Sequence, residues 1–124
     1  MVIVYNMGIK EQLNDNIREF IKEAERSKKD NSYNSAITLF FKAIAVLTDL
    51  FLFSKEGFIP SNHTERFDVL RKKYPDVYLI LDRCFPLYQQ TDRLKMSKGH
   101  LEAIENDFGK LVEITGISPD SKKN

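Results

Sequence analysis

The stretch that decides the fold of this chain is "AITLFFKAIAVLTDLFLF", which runs from Ala36 to Phe53. Its only charged residues are Lys42 and Asp49, and their spacing puts them on nearly the same helical face as Thr38 and Ala45. Two charges inside an otherwise apolar helix argue against a membrane span. We therefore predict the central helix of a folded protein, covered on several sides, with this polar stripe as its one exposed strip.

Composition places the whole chain in the class of ordinary folded domains. It has 124 residues, of which 42% are hydrophobic and 30% are charged, so one domain spanning residues 1–124 is expected. A net charge of +1 excludes a strongly basic nucleic-acid-binding protein, and any contact with RNA would need a local basic patch.

The residues that bind metals or form disulfides are sparse. A single cysteine, Cys84, excludes an internal disulfide, and two histidines without a paired acidic motif provide no recognisable metal site. We expect no metal and no cofactor, and we expect Cys84 to be buried and inert. The opening "MVIVYNM" lacks a basic leader, so we expect a cytoplasmic protein that does not enter a membrane.

The residues on either side of the central stretch predict a helical hairpin. Apolar residues at helical spacing predict a first helix from about Gly8 or Ile9 to Lys29, with residues 1–8 as an extended arm. Turn and cap residues in "KKDNSYN" then start the second helix near Ser32. That helix should end at about Lys55, because Gly57 supplies a left-handed stop.

Three further helices are predicted after Pro60. A short helix near residues 63–73 is followed by one that begins at Pro75, and Pro86 should bend the latter. Ser97 caps the last helix, which ends before Gly116, and residues 117–124 should form a flexible tail. The expected fold is all-α: an antiparallel, up-and-down four-helix bundle with one short additional helix.

The apolar surface of the central helix also predicts self-association. It exceeds what three neighbouring helices in so small a bundle need to cover, so a homodimer is expected. The residues predicted to be exposed at its contact lie near the end of that helix: Leu50, Phe53 and Phe58.

Two families share the phrase in which "EAERSKKD" is followed by "NSYNSAITLFFKAIAVL", with Ala36 and Ala43 at a close helix contact. One is the tetratricopeptide repeat, which would imply a protein-interaction hairpin, although nothing after Gly57 repeats the phrase. The chain more closely resembles the HEPN-like domains from Glu11 to Ile114. That resemblance implies a small prokaryotic helical bundle, either a metal-independent ribonuclease or a non-catalytic partner of nucleotidyltransferases in toxin–antitoxin-type systems.

Catalytic HEPN-like proteins use an arginine and a histidine separated by four to six residues. In "RLKMSKGH", Arg93 and His100 are separated by six. By this resemblance His100 would be the base that takes a 2′-hydroxyl proton, and Arg93 would hold the phosphate. The alternative is structural: His100 follows the Ser97 cap as a polar helix-start residue, and Arg93 lies on a solvated helix end.

Four other residues are candidates for ligand binding. His63 and Arg66 begin the short helix, whose positive N-terminal end would suit a phosphate, although a capped polar loop is the favoured explanation. Tyr88 and Asp92 are spaced so that their hydroxyl and carboxylate can meet across one helical turn. The HEPN-like resemblance implies that the functional groove lies there. Either RNA or a nucleotide would be the ligand there.

The function expected from the sequence is a HEPN-like binding module, the non-catalytic partner of a nucleotidyltransferase or another protein. A metal-independent ribonuclease and a tetratricopeptide-like hairpin are the alternatives.

Overall fold

The computed structural model describes residues 2–119, with side chains from Gly8 onward. The chain forms five helices: α1 Val2–Lys29, α2 Tyr33–Glu56, α3 His63–Lys73, α4 Pro75–Gln90 and α5 Lys98–Thr115. Residues 2–119 contain no strand, so the prediction of an all-α protein is confirmed.

The short connections form where the sequence supplies their residues. Asn31 adopts the left-handed conformation, with φ 60°, between α1 and α2, and asparagine tolerates that region better than most residues. Gly57 has φ 83° and its N–H closes the end of α2 on the Phe53 carbonyl, as predicted. Asn62 caps α3 by accepting the Glu65 N–H.

Helix α2 is the centre of the core. It packs most extensively against α1 and also contacts α4 and α5, while α3 packs on α4 and α4 on α5. Thirteen of its residues are buried, including Phe41 at 1% exposure. By length and composition α2 could also cross a membrane, but 72% of its most apolar window is buried inside the protein.

The predicted exposed strip of α2 is wrong, since Lys42 alone of its four residues is exposed. Ala45 and Asp49 are buried, and Thr38 is half-buried. Asp49 leaves water because α3 lays Arg66 against it, and an ion pair replaces the lost hydration.

Two other expectations differ from the structure near the chain ends. Helix α1 starts at Val2, so residues 2–7 are helical where an extended arm was expected, and Met1 lies outside the described residues. In the predicted tail, Ile117 packs against the core and Pro119 is buried. Residues 120–124 lie outside the described range.

The three residues proposed for a dimer contact have different exposures. Leu50 is buried, contrary to the prediction, because neighbouring helices cover this face of α2. Phe53 is half-buried, and Phe58 is exposed as predicted.

Candidate functional site

A buried ion pair joins α2 to α3. Arg66 donates from Nε to Asp49 Oδ1 at 2.7 Å and from Nη2 to Asp49 Oδ2 at 2.9 Å, and both side chains are about one tenth exposed. Two parallel hydrogen bonds of this kind match the planar guanidinium to the carboxylate. The remaining terminal nitrogen of Arg66, Nη1, lies 2.6 Å from His63 Nδ1. The three side chains form a continuous chain from the core to the protein surface.

The partner of His63 fixes which ring nitrogen carries the proton. An arginine can only donate hydrogen bonds, so Nδ1 of His63 must accept, and the neutral ring carries its proton on Nε2. Burial lowers the pKa of His63, and the charge of Arg66 lowers it further. The ring is therefore a neutral hydrogen-bond donor at neutral pH.

His63 lies at the edge of a cleft between α1, α2, α3 and α4, which we call the aromatic cleft. Its volume is about 210 Å³. Its walls are mainly aromatic and aliphatic, with one lysine: Phe20, Phe41, Lys42, Ala45, Val46, His63 and Tyr88.

The rings around the aromatic cleft pack on one another. Tyr88 stacks on Phe41 with centroids 4.5 Å apart and planes 15° apart. The His63 ring lies 6.0 Å from Phe41 and 5.3 Å from Phe85. Aromatic pairs at these separations stabilise each other beyond simple burial, so the walls of the cleft are held by the core itself.

Three of the four predicted binding residues thus meet at one place. His63 and Tyr88 line the aromatic cleft, and Arg66 supports His63 from behind. Asp92 lies elsewhere, beyond the end of α4, in a groove with Asn34, Thr38 and Thr91. Across the described part of the chain, no hydrogen bond joins Tyr88 to Asp92, because the helix ends at Gln90 before it can align them.

The proposed catalytic pair is divided between two settings. His100 Nδ1 accepts the backbone N–H of Ser97 at 3.0 Å, while Ser97 Oγ accepts the His100 N–H at 3.3 Å, which is a reciprocal helix cap. Arg93 is exposed and lines a separate groove of about 470 Å³ with Pro86, Gln90 and neighbours. Within residues 8–119 no hydrogen bond or ring contact joins the two side chains.

The N-terminal end of α3 is already occupied by the protein's own groups. Asn62 Oδ1 accepts the Glu65 N–H, and a Glu65 carboxylate oxygen accepts the Ser61 N–H at 2.6 Å. A phosphate would compete with this carboxylate for the same positive helix end, so the phosphate site predicted there is disfavoured. Residues 8–119 also contain no cluster of three potential metal ligands.

The polar stripe in the sequence identified Asp49 and Lys42 but did not predict their role at this site. A buried acid in an apolar helix needs a partner, so the sequence could have predicted that Asp49 forms an ion pair with a cation. No local pattern identified Phe41 as the floor of the cleft, because apolar residues surround it on almost every face of α2. Comparisons with protein-family models, with curated proteins and with solved structures found no match to this chain.

Proposed function

We propose that this protein is a non-catalytic helical binding module of the HEPN-like kind, with its helices in an up-and-down four-helix bundle plus the short α3. Its partner would be a nucleotidyltransferase or another protein of a toxin–antitoxin-type system in the cytoplasm. The observation that carries the proposal is the use of His100 in the helix cap.

A general base needs a free nitrogen lone pair within reach of the proton that it abstracts. The Nδ1 lone pair of His100 accepts from the Ser97 backbone, which leaves Nε2 as the protonated nitrogen of the neutral ring. Only release of the cap or a change of tautomer would restore a base on this residue. A structural role for His100 is therefore favoured over a catalytic one.

The surface also suits a protein partner better than a long polyanion. Nineteen basic and eighteen acidic residues nearly cancel, and the three exposed cations of α3 pair with acids: Arg71 and Lys72 with Asp68, and Lys73 with Glu56. Nucleic-acid affinity depends on several unpaired cations that displace counterions. Exposed apolar side chains at Leu79 and Leu94 add surface for protein contacts.

Ribonuclease activity is the competing function, and one experiment separates the two. The purified protein is incubated with a mixed RNA in excess chelator, beside His100→Ala and Arg93→Ala. Intact RNA is the result that we expect. Cleavage that survives the chelator and is lost in both variants would establish the ribonuclease and reject the binding module.

The proposed assembly is a homodimer that uses the exposed Phe58 and Ile59 beyond the end of α2. Light scattering at micromolar concentration should give twice the chain mass, and Phe58→Ser should give the monomer. A monomeric mass for the unchanged protein would reject the dimer without bearing on RNA cleavage.

A further inference from the structure

We infer that the aromatic cleft binds a protein segment in which an aromatic side chain stands next to a carboxylate. This inference rests on the proposed binding function and names the chemistry of the partner. It is carried by the size of the cleft, by the charges on its walls and by the rigidity of its rings.

The size of the cleft favours a single side chain. Sites for small molecules usually have volumes of about 300 to 1,000 Å³. The aromatic cleft has only about 210 Å³, which is smaller than such sites and suits one anchoring ring. Buried aromatic anchors that fill a preformed pocket are the residues that dominate protein–protein affinity.

The walls favour a ring and not an aliphatic chain. Tyr88 and Phe41 are already stacked in parallel, and Phe20 faces the same space. An incoming ring can continue this packing with the offset or edge-on geometry that aromatic pairs prefer. Because Phe41 is buried and the Tyr88 ring is fixed against it, little side-chain entropy is lost on binding.

The charges favour a carboxylate beside that ring. Lys42 is exposed at the cleft, and no carboxylate among the described residues lies within ion-pair distance of its Nζ. Among the described residues no acid lines the cleft, and both carboxylate oxygens of nearby Asp49 already accept from Arg66. The Nε2–H of His63 has no acceptor within the part of the chain that the structure describes. The polar groups at the cleft that could bind a ligand are thus the Lys42 ammonium and the Nε2–H of His63.

The same inventory disfavours a nucleobase as the occupant. Base edges present both donors and acceptors, and a site that reads them needs both. Apart from the Tyr88 hydroxyl, the aromatic cleft offers only donors, and a single lysine gives little affinity for a phosphate backbone.

Fragment binding, followed by the amide chemical shifts of the ¹⁵N-labelled protein, tests the inference. The probe is 3-phenylpropionate, and the controls are 3-phenylpropylamine, with the opposite charge, and propionate, without the ring. We expect saturable shifts around the cleft with 3-phenylpropionate and much weaker shifts with both controls. Equal shifts with the amine, or no saturable shift at the cleft, would overturn the inference.

A charge reversal provides the matched variant. Lys42 is exposed and has no ion-pair partner among residues 8–119, so Lys42→Glu should leave the fold intact. The variant should bind 3-phenylpropionate about fivefold more weakly, which is the factor expected for one exposed ion pair. Its preference should reverse, so that it binds 3-phenylpropylamine more tightly. An unchanged preference for the acid in Lys42→Glu would contradict the assigned role of this lysine.

Two further probes identify the source of the ligand. The blocked peptide acetyl-Gly-Asp-Phe-Gly-amide should bind at the cleft more tightly than acetyl-Gly-Lys-Phe-Gly-amide. Binding of 3-phenylpropionate without binding of the acidic peptide would assign the cleft to a free aromatic acid and overturn the docking role. Tighter binding of adenosine or uridine monophosphate than of 3-phenylpropionate would overturn it in favour of a nucleotide.

The inference and the proposed function can fail separately. An empty cleft together with intact RNA would leave a binding module that uses another surface. Cleavage of RNA that depends on His100 and Arg93, together with fragment binding at the cleft, would reject the non-catalytic assignment and, with it, the partner-docking role built upon it.

Discussion

Breaking the ion pair between Asp49 and Arg66 should cost more stability than any exposed charge on this protein. Removing one member of a buried pair usually destabilises a fold by about 3–5 kcal/mol, because the other charge is left without a partner in a poorly solvated place. Both side chains here are about one tenth exposed, and two hydrogen bonds of 2.7 and 2.9 Å join them.

The structure also predicts which of the two single variants loses more stability. Asp49→Ala leaves Arg66 with one remaining acceptor, His63 Nδ1. This variant should therefore lower the free energy of unfolding by about 3 kcal/mol, the lower end of that range. Arg66→Met leaves both the Asp49 carboxylate and His63 Nδ1 without a donor, and should cost about 4–5 kcal/mol. The double variant leaves no buried charge at this site and should be no less stable than Arg66→Met.

Urea denaturation of the four proteins gives the coupling energy between the two residues. We expect about 3 kcal/mol. The matched control is the exposed pair Arg71 and Asp68, whose side chains are 59% and 45% exposed, and Arg71→Met should cost less than about 1 kcal/mol. A coupling energy between Asp49 and Arg66 below about 1 kcal/mol would show that the pair behaves like a surface ion pair, and would refute the argument.

Three other predictions follow from single side chains. Because the pKa of His63 is lowered in the fold, the unfolded chain takes up a proton on this residue first as pH falls. The contribution of His63 to stability should therefore decline below about pH 6.5 and level off below its folded pKa. His63→Asn, which keeps an acceptor for Arg66, should remove that part of the decline in urea titrations; an unchanged slope would contradict the assignment. Burial, and next the nearby Asp107, raise the pKa of the Cys84 thiol, so Ellman's reagent should react only as fast as the protein unfolds, and rapid reaction of the folded protein would show otherwise. Asn34 accepts one backbone N–H and donates to two carbonyls of the segment 91–96, so Asn34→Ala should lower the free energy of unfolding by about 1–3 kcal/mol; a loss below about 0.5 kcal/mol would mean that water replaces these bonds.

The spacing of Arg93 and His100 in the sequence did not determine whether their side chains lie on one helix face. A spacing of six residues brings two side chains onto related faces only within one continuous helix. Here α4 ends at Gln90 and α5 begins at Lys98, so Arg93 and His100 belong to different elements. The cap residue Ser97 was visible in the sequence, and its bond to His100 follows from local geometry that the sequence already favoured.

What the sequence determined by itself is the set of helices and their ends. Apolar periodicity, the caps Asn62 and Ser97, the prolines at the breaks and the left-handed Gly57 act within a few residues of one another. Such local signals depend little on the rest of the chain. The structure differed from these predictions mainly at the ends of the chain, where α1 begins earlier than its apolar pattern indicated.

The tertiary structure alone decided which polar groups inside the protein meet. Asp49 and Arg66 are 17 positions apart, and Asn34 and Leu94 are 60 apart, so no local rule relates them. The position of α3, which packs on α4, brought Arg66 to Asp49, a residue expected in water, and buried the two as an ion pair. It also placed His63 at the cleft that Phe41 and Tyr88 line. Whether a polar residue on an apolar helix faces water or a partner depends on which helix covers it, and the amphipathic pattern of one helix does not contain that information.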